Sequence, residues 1–433
     1  MKGNNFQIII LVVFVVAAVA GVLVFSGAIP LGNNNNNTPG ALGTVTLWGT
    51  TSSLTMASII GEFNKNNPSL VVNYVQKSSG TFDQDLLEAL ATGAGPDLFF
   101  LSDDLAYHYS NKIFAIPYTS YPLANFKNVF AGAGDVFLTT KGILAFPITI
   151  DPLVMYYDRN ILDANGIVYP PATWSDLIEM MPTLIKKDEA NKIIKPVVAL
   201  GQFSNVTNAK DILATLFLQA GNPIVSEREG VFVSALGSSI GNYNLPSILK
   251  FYTDFADPSN AVYTWNKSFP NSIDAFSANN LAFYFGFASE LESLLNKNPN
   301  QNFSMASIPQ IKNSNFKATG AHVTGIAVST ASKNLNASFT VANLLTTGDF
   351  ASGFASALHI APARRDLLAV KPADLYSPIF YNSALYAKSW VDPSTKDTHD
   401  IFGNMVNAVL SGSLPTDAAI QDASAKINLL LIK

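Results

Sequence analysis

Cysteine is absent from the 433 residues. That removes disulfides, zinc–thiolate sites and a thiol nucleophile together, and it excludes a lipid-modified N-terminal cysteine as a membrane anchor. The compartment stays open, because exported proteins can also lack cysteine. Charged residues make up only 13% of the chain, and the formal net charge is −5. A nucleic-acid partner would favour a basic face, so none is expected. Histidine occurs four times, at His108, His322, His359 and His399, with no two at metal-ligand spacing. No P-loop, GxSxG, HExxH, paired CxxC or dinucleotide fingerprint appears. The pair Asp103-Asp104 has the composition of glycosidase carboxylates, but nothing brings a second carboxylate opposite it. No cofactor or metal is implied, and an enzyme is not expected.

Apolar residues make up 48% of the chain, and 433 residues are too many for one core, so two domains of ordinary size are expected. Ile8–Phe25 is an apolar run without charge, spanning roughly 27 Å, close to the hydrocarbon core of a bilayer. Lys2 precedes it and no charge comes after it until Glu62, which leaves the N-terminus in the cytoplasm and the bulk of the chain outside. The run reads as an uncleaved anchor. The competing reading is a signal peptide cut near Ser26-Gly27-Ala28, and both readings export the protein. Gly32–Gly40, GNNNNNTPG, is a low-complexity tether.

The rest of the chain is organised around the stretch from Gly142 to Leu177. It begins as a β-branched run, Gly142–Ile150, of the kind buried on both faces of a sheet. A charge and a proline, Asp151-Pro152, interrupt it, and the pattern resumes through Leu153–Tyr157 as though the strand had entered another sheet. Pro170-Pro171, Thr173 as N-cap, Trp174 and Asp176 then start a helix. A strand that crosses from one body to the next is a hinge. Upstream, Thr44–Trp48 and Val71–Val75 read as strands, and a helix carries Met56, Ile59, Ile60 and Phe63. Thr81-Phe82-Asp83-Gln84 opens a second helix with capping-box spacing. Gly93–Asp97 ends it and Asp97–Leu101 forms a third strand. This β-α-β-α-β alternation predicts a parallel sheet, with ligand beyond the carboxyl ends of the strands. There Trp48 and Gly49 would meet Ser102 and Asp103, beside the hydroxyl-rich turn holding Thr50 and Ser52. Capping alone accounts for one of the turn's serines, and Trp48 has a core reading as well.

The order of a TVTLW strand, a helix ending EFNKNNP, then ATGAGPDLFF and FPITIDPLVMYYDRNILDANGI–YPPATWSDL closely resembles the family 1 extracellular solute-binding proteins of ABC importers, the maltose-binding-like group. Asp274–Tyr284 is similar to the family's F-x-x-G-x-A-A-M segment, although Asn279 stands where glycine is usual. Gly320–Ser329 is similar to its return strand, and Ala337–Thr347 followed by Ala361-Pro362-Ala363-Arg364 resembles its helix-then-P-x-R ending. The resemblance runs from about Thr44 to the C-terminus. It implies an α/β, two-lobed periplasmic-binding-protein-like fold of type II, each lobe a mixed, mostly parallel sheet flanked by helices, with one N-terminal transmembrane helix. The expected division is an anchor over 1–28 and a linker over 29–42. Lobe 1 takes 43–150 with its return over 319–370, and lobe 2 takes 151–318 and 371–433.

The resemblance also implies ligand positions. A sugar offers hydroxyls at its edge and C–H groups on its face, which carboxylates, amides and aromatic rings complement. Asp151 stands where the group places a sugar-contacting acid; its other reading is a hinge residue bonded to backbone. Gln202 and Phe203 match a contacting loop of lobe 2, and Phe287 and Ser289 lie where an aromatic is often offered. His322 and His399 fall at the cleft. Trp174 is structural. The implied function is a membrane-tethered extracellular component, acting as a monomer, that closes on a sugar or oligosaccharide and docks on permease subunits served by a separate ATPase. The alternatives are a ligand sensor on the same fold, or a polyamine or other non-sugar solute drawn by Asp103, Asp104 and Asp151.

Overall fold

A computed structural model of the chain describes residues 43–190, 192–237 and 244–432. The Ile8–Phe25 run and the asparagine-rich tether lie outside them. Among the described residues, no helix is long and apolar enough to cross a membrane. The chain falls into two compact units, one of residues 43–99 with 331–344, the other of 100–330 with 345–432.

In the first unit, β1 (Gly43–Gly49), α1 (Ser53–Asn66), β2 (Leu70–Gln76), α2 (Phe82–Thr92) and the start of β3 (Leu98–Ser102) keep the expected alternation. β1 pairs in parallel with β2, and with β3 through Leu47–Leu98 and Trp48–Phe99. Val45, Leu47, Val72 and Leu98 bury the sheet face, and Met56, Ile60 and Phe63 bury one side of α1. Asp97 closes the base of this sheet, accepting the Thr46 N–H at 3.0 Å and the Ser332 hydroxyl at 2.6 Å. The capping box foreseen at Thr81 does not form. Thr81 precedes α2 at φ −123° and ψ 1°, with no side-chain bond to the helix, and Gln84 bonds Glu88 at 2.8 Å instead. That backbone is not the extended one from which a hydroxyl reaches N2 or N3.

The second unit is built on β4 (Ala145–Asp158), followed by α3 (Trp174–Leu184), α4 (Ala209–Gln219), β5 (Phe283–Phe287), β6 (Phe303–Ser307), β7 (Thr319–Val328), β8 (Ala361–Pro362), β9 (Ala387–Lys388) and α5 (Thr395–Leu410). β4 runs unbroken through Asp151-Pro152, as a strand passing from one set of partners to another does. What changes there is the partner. Residues 145–152 pair with β7, whereas residues from Leu153 onward pair with β5 and β6. Pro152 has no N–H to donate, and it falls where one neighbour strand gives way to another. The pairings of β4 are antiparallel and that of β7 with β9 is parallel. The sheet here is therefore mixed, but not mostly parallel as expected.

α4 is buried nearly all round, as its run of apolar residues foretells. It lies so close to β7 that a Cβ on Gly320 would sit 2.4 Å from the Thr215 hydroxyl oxygen. Gly320 gives its N–H to that oxygen at 3.0 Å. At the head of α3, Thr173 and Asp176 form the reciprocal capping box. The Trp174 indole N–H donates to Gln219 at 2.7 Å and its ring packs edge-on against Phe251 and Phe285, the structural role expected. Asn279 adopts φ +57°, the left-handed conformation that glycine takes freely and asparagine tolerates. The departure from the family's glycine is therefore conservative in backbone terms.

Candidate functional site

Antiparallel pairing of β4 with β7 sets His322 directly across from Asp151. β3 ends by delivering Asp103, whose carboxylate lies 3.5 Å from His322 Nδ1. From the first turn of α4, Asp211 approaches His322 Nε2 at 4.0 Å. One imidazole thus meets three carboxylates from three elements. Asp103 is only 4% exposed, and it also accepts from the Ser389 hydroxyl and, at 3.4 Å, from Ser102. Asp151 accepts the Ser289 N–H at 3.0 Å. The Phe287 ring covers one side of the imidazole, centroid to centroid 4.5 Å at 37°.

These charges set the protonation of the cluster. Burial pushes His322 down, but the Asp103 hydrogen bond and the charges of Asp103, Asp211 and Asp151 outweigh it and raise the group to about 10. His322 is therefore an imidazolium at neutral pH. Its side chain keeps 43% exposure, so solvent weakens the hold of these charges. Burial pushes Asp151 up to about 6, against the Ser289 bonds and the His322 charge that pull it down, with Glu290 adding to the rise. Asp103 feels the same desolvation, yet His322, Ser389 and the Val323 N–H bring it below the ordinary carboxylate value. Asp211 is raised, chiefly by burial.

Beside this cluster is a cavity lined by Asp104, Asp211, His322, Ser389 and Trp390, with Lys210 and Asp392 at one wall. Lys210 and Asp392 form a buried ion pair at 2.7 Å, which Thr398 completes by donating to Asp392 at 2.9 Å. The pair leaves Lys210 no free charge to offer the cavity. Trp390 stacks on Phe402 at 6.2 Å and 21°, and Lys210 Nζ lies 5.8 Å over its ring. The cavity therefore presents carboxylates and a cation able to bond hydroxyls, with one aromatic ring. Among the described residues, no group of three or more histidines and carboxylates could hold a metal ion.

Of the residues expected at a ligand site, Asp103 and His322 line the cavity, and Asp151, Phe287, Ser289 and Ser102 adjoin them. Gln202, Phe203 and His399 gather separately. Phe203 meets the His399 ring edge-on at 4.8 Å, and Gln202 is buried with its side-chain amide oxygen unbonded among the described residues, while its backbone carbonyl accepts from the Tyr252 hydroxyl at 2.7 Å. In the first unit, Trp48 is half-buried rather than core, with Lys77 Nζ 3.8 Å above its ring. Gly49 accepts the Lys77 N–H at 2.8 Å, Thr50 is exposed, and Ser52 caps α1 by accepting from Leu54 at 3.2 Å. Lys210, Asp211, Ser389 and Trp390 went unforeseen. Asp211 is hidden in the apolar pattern of α4.

Comparison with solved structures gives the fold. A cyclo/maltodextrin-binding protein complexed with maltotetraose is 15% identical, with a TM-score of 0.71 over 91% of this chain and 98% of that one. The sugar-binding protein MalE of Xanthomonas citri is 17% identical at 0.70, covering 90% and 97%. A cyclic alpha-maltosyl-1,6-maltose binding protein of Arthrobacter globiformis is 14% identical at 0.73, covering 90% and 99%. The chain thus has the two-lobed α/β, periplasmic-binding-protein-like fold. A comparison with curated proteins found no match. The bacterial extracellular solute-binding protein profile matches residues 48–349, more than half of the chain, and the protein belongs to that family of binding proteins, which are not enzymes.

Proposed function

We propose that the protein is the solute-capturing component of an ABC importer, tethered to the outer face of the membrane by its N-terminal run, with a sugar or oligosaccharide as solute. The observation that carries the reading is the cavity that Asp103, Asp211, an imidazolium and Trp390 line together. Carboxylates accept from sugar hydroxyls, the imidazolium donates to them, and the indole covers an apolar sugar face. A neighbour complexed with maltotetraose and one named for binding cyclic alpha-maltosyl-1,6-maltose support the same class. Closure of the lobes on solute would arise from higher affinity for the closed state, and the closed form would dock on permease subunits driven by a separate ATPase.

A second reading, a cationic solute such as a polyamine, is favoured by one observation. Three carboxylates surround a single imidazolium, and Lys210 is already neutralised by Asp392. A thermal-shift series with maltodextrins, monosaccharides and polyamines tests both. Ligand at about 100 times its dissociation constant adds roughly 2.7 kcal/mol, a shift of a few degrees. A maltodextrin shift that is lost in Trp390→Ala supports the sugar reading. A shift with polyamines alone replaces it, and no shift with any solute refutes both.

A further inference from the structure

The turn after β5 is held from beneath. Glu290 accepts the Phe287 N–H at 2.9 Å and the Asn208 side-chain amide at 2.6 Å on one oxygen, and the Tyr284 hydroxyl on the other. From β4, the Tyr156 hydroxyl donates to the Phe287 carbonyl at 2.8 Å. Both backbone polar groups of Phe287 are therefore fixed by side chains that do not line the cavity. The space is full. A Cβ on Gly286 would come within 2.6 Å of the Tyr284 ring and 3.1 Å of Glu290. Above this grip, the same turn aims the Phe287 ring at His322 and the Ser289 N–H at Asp151.

We propose that Glu290 is a positioning residue for the solute site, fixing the Phe287–Ser289 turn so that its aromatic ring meets His322 and its free N–H meets Asp151. The assignment rests on the solute-binding reading. A carboxylate suits the task because it accepts all three donors at once, and a buried N–H left without a partner is costly. Asn208 enters the network from a left-handed backbone at φ +61°, which turns its amide toward Glu290 just before α4. The titratable groups facing Glu290 are Tyr284 of β5, Tyr156 and Asp151 of β4, and Asp211 of α4. Its charge also adds a small push to the rise of Asp151, after burial, the Ser289 bonds and the His322 charge.

The full chain, with maltotetraose as probe, provides the test. Calorimetry between about pH 5 and 8 is combined with NMR of the His322 ring, whose shifts report the Phe287 ring current. Glu290→Ala is expected to weaken binding by about tenfold or more, the equivalent of one lost bond to a charged group. It also displaces the His322 resonances. Glu290→Gln keeps one acceptor oxygen for the Phe287 N–H and turns an NH2 donor toward the Tyr284 hydroxyl oxygen, and it removes a negative neighbour of Asp151, so the acid limb of binding moves to lower pH. A merely structural residue would not produce that shift. Tyr156→Phe frees the Phe287 carbonyl and weakens binding in the same direction. Should Glu290→Ala fail to fold, Glu290→Gln and Tyr156→Phe decide. Should the wild-type chain give no heat with maltotetraose, the sugar reading fails, and the His322 resonances of the variants still decide the positioning role. Unchanged affinity, acid limb and His322 resonances in the folded variants would overturn the proposal.

Discussion

At the scale of single residues, the site turns on which carboxylates His322 meets. Asp103 is the most buried of them and makes the hydrogen bond that contributes most to holding the proton on the imidazole. Asp103→Asn is therefore expected to bring His322 well below about 10, while the added amide leaves the volume of the site unchanged. NMR titration of the imidazole reads this directly, and an unshifted titration would mean that Asp211 and Asp151 hold the proton without it. Much of the residue-level picture was legible beforehand. Asp103, Asp151, Phe287, Ser289 and His322 were all singled out, and four of them touch His322 or are His322 itself. Trp390 was not legible as a site residue, because a lone tryptophan reads the same whether it faces a core or a cavity. Trp48 does not take the core place that was its other reading. Its strand is regular, but its register leaves the ring half-buried beneath Lys77.

At the scale of elements, close approach matters more than propensity. β7 can reach α4 only because Gly320 carries no side chain where the Thr215 hydroxyl sits. Gly320→Ala should cost about 1–3 kcal/mol by overpacking. Adding Thr215→Ala should recover part of the loss, since it removes the oxygen that the new methyl would strike. Urea unfolding of the single and double variants measures the coupling, and strict additivity would show that the clash is relieved elsewhere. The capping box at Thr173 was visible as T-W-S-D because both of its bonds lie within four residues. The same spacing at Thr81 misled, since a cap also needs an extended N-cap backbone, which the turn before α2 does not supply.

At the scale of the whole molecule, the site makes folding stability depend on pH with a definite sign. His322 is raised from 6.5 to about 10, so its contribution is fully present below pH about 6.5 and is lost as pH rises through about 10. Asp151 is raised from 3.8 to about 6, so ionising it costs stability across that interval. Both groups make the native state bind more protons than the unfolded chain, and stability should fall with rising pH through both windows. Asp103, held below its ordinary value of 3.8, acts the other way: its contribution is present above that value and is lost as the pH falls from there toward its folded value. Thermal midpoints tracked from mildly acid to alkaline pH should therefore decline in the wild-type chain and flatten at the alkaline end in His322→Gln. A midpoint rising through the alkaline window would contradict the charge assignment.

The amino-acid sequence by itself determined the alternation of strands and helices in the first unit, the helix start at Thr173, the long β4 run and the solute-binding family. All of these rest on periodicity, capping and motif order, which are local or sequential properties. The residues of β4 even showed where its partners change, because a charge and a proline mark Asp151-Pro152. Only the tertiary structure decided that β4 continues through that point, and that Asp103, Asp151 and Asp211 converge on His322 beside Trp390. Those residues come from separate elements, brought together by the register of β4 on β7 and the close seat of α4. Register and helix seating are set by how whole faces bury against one another, and no short spacing in the chain records them.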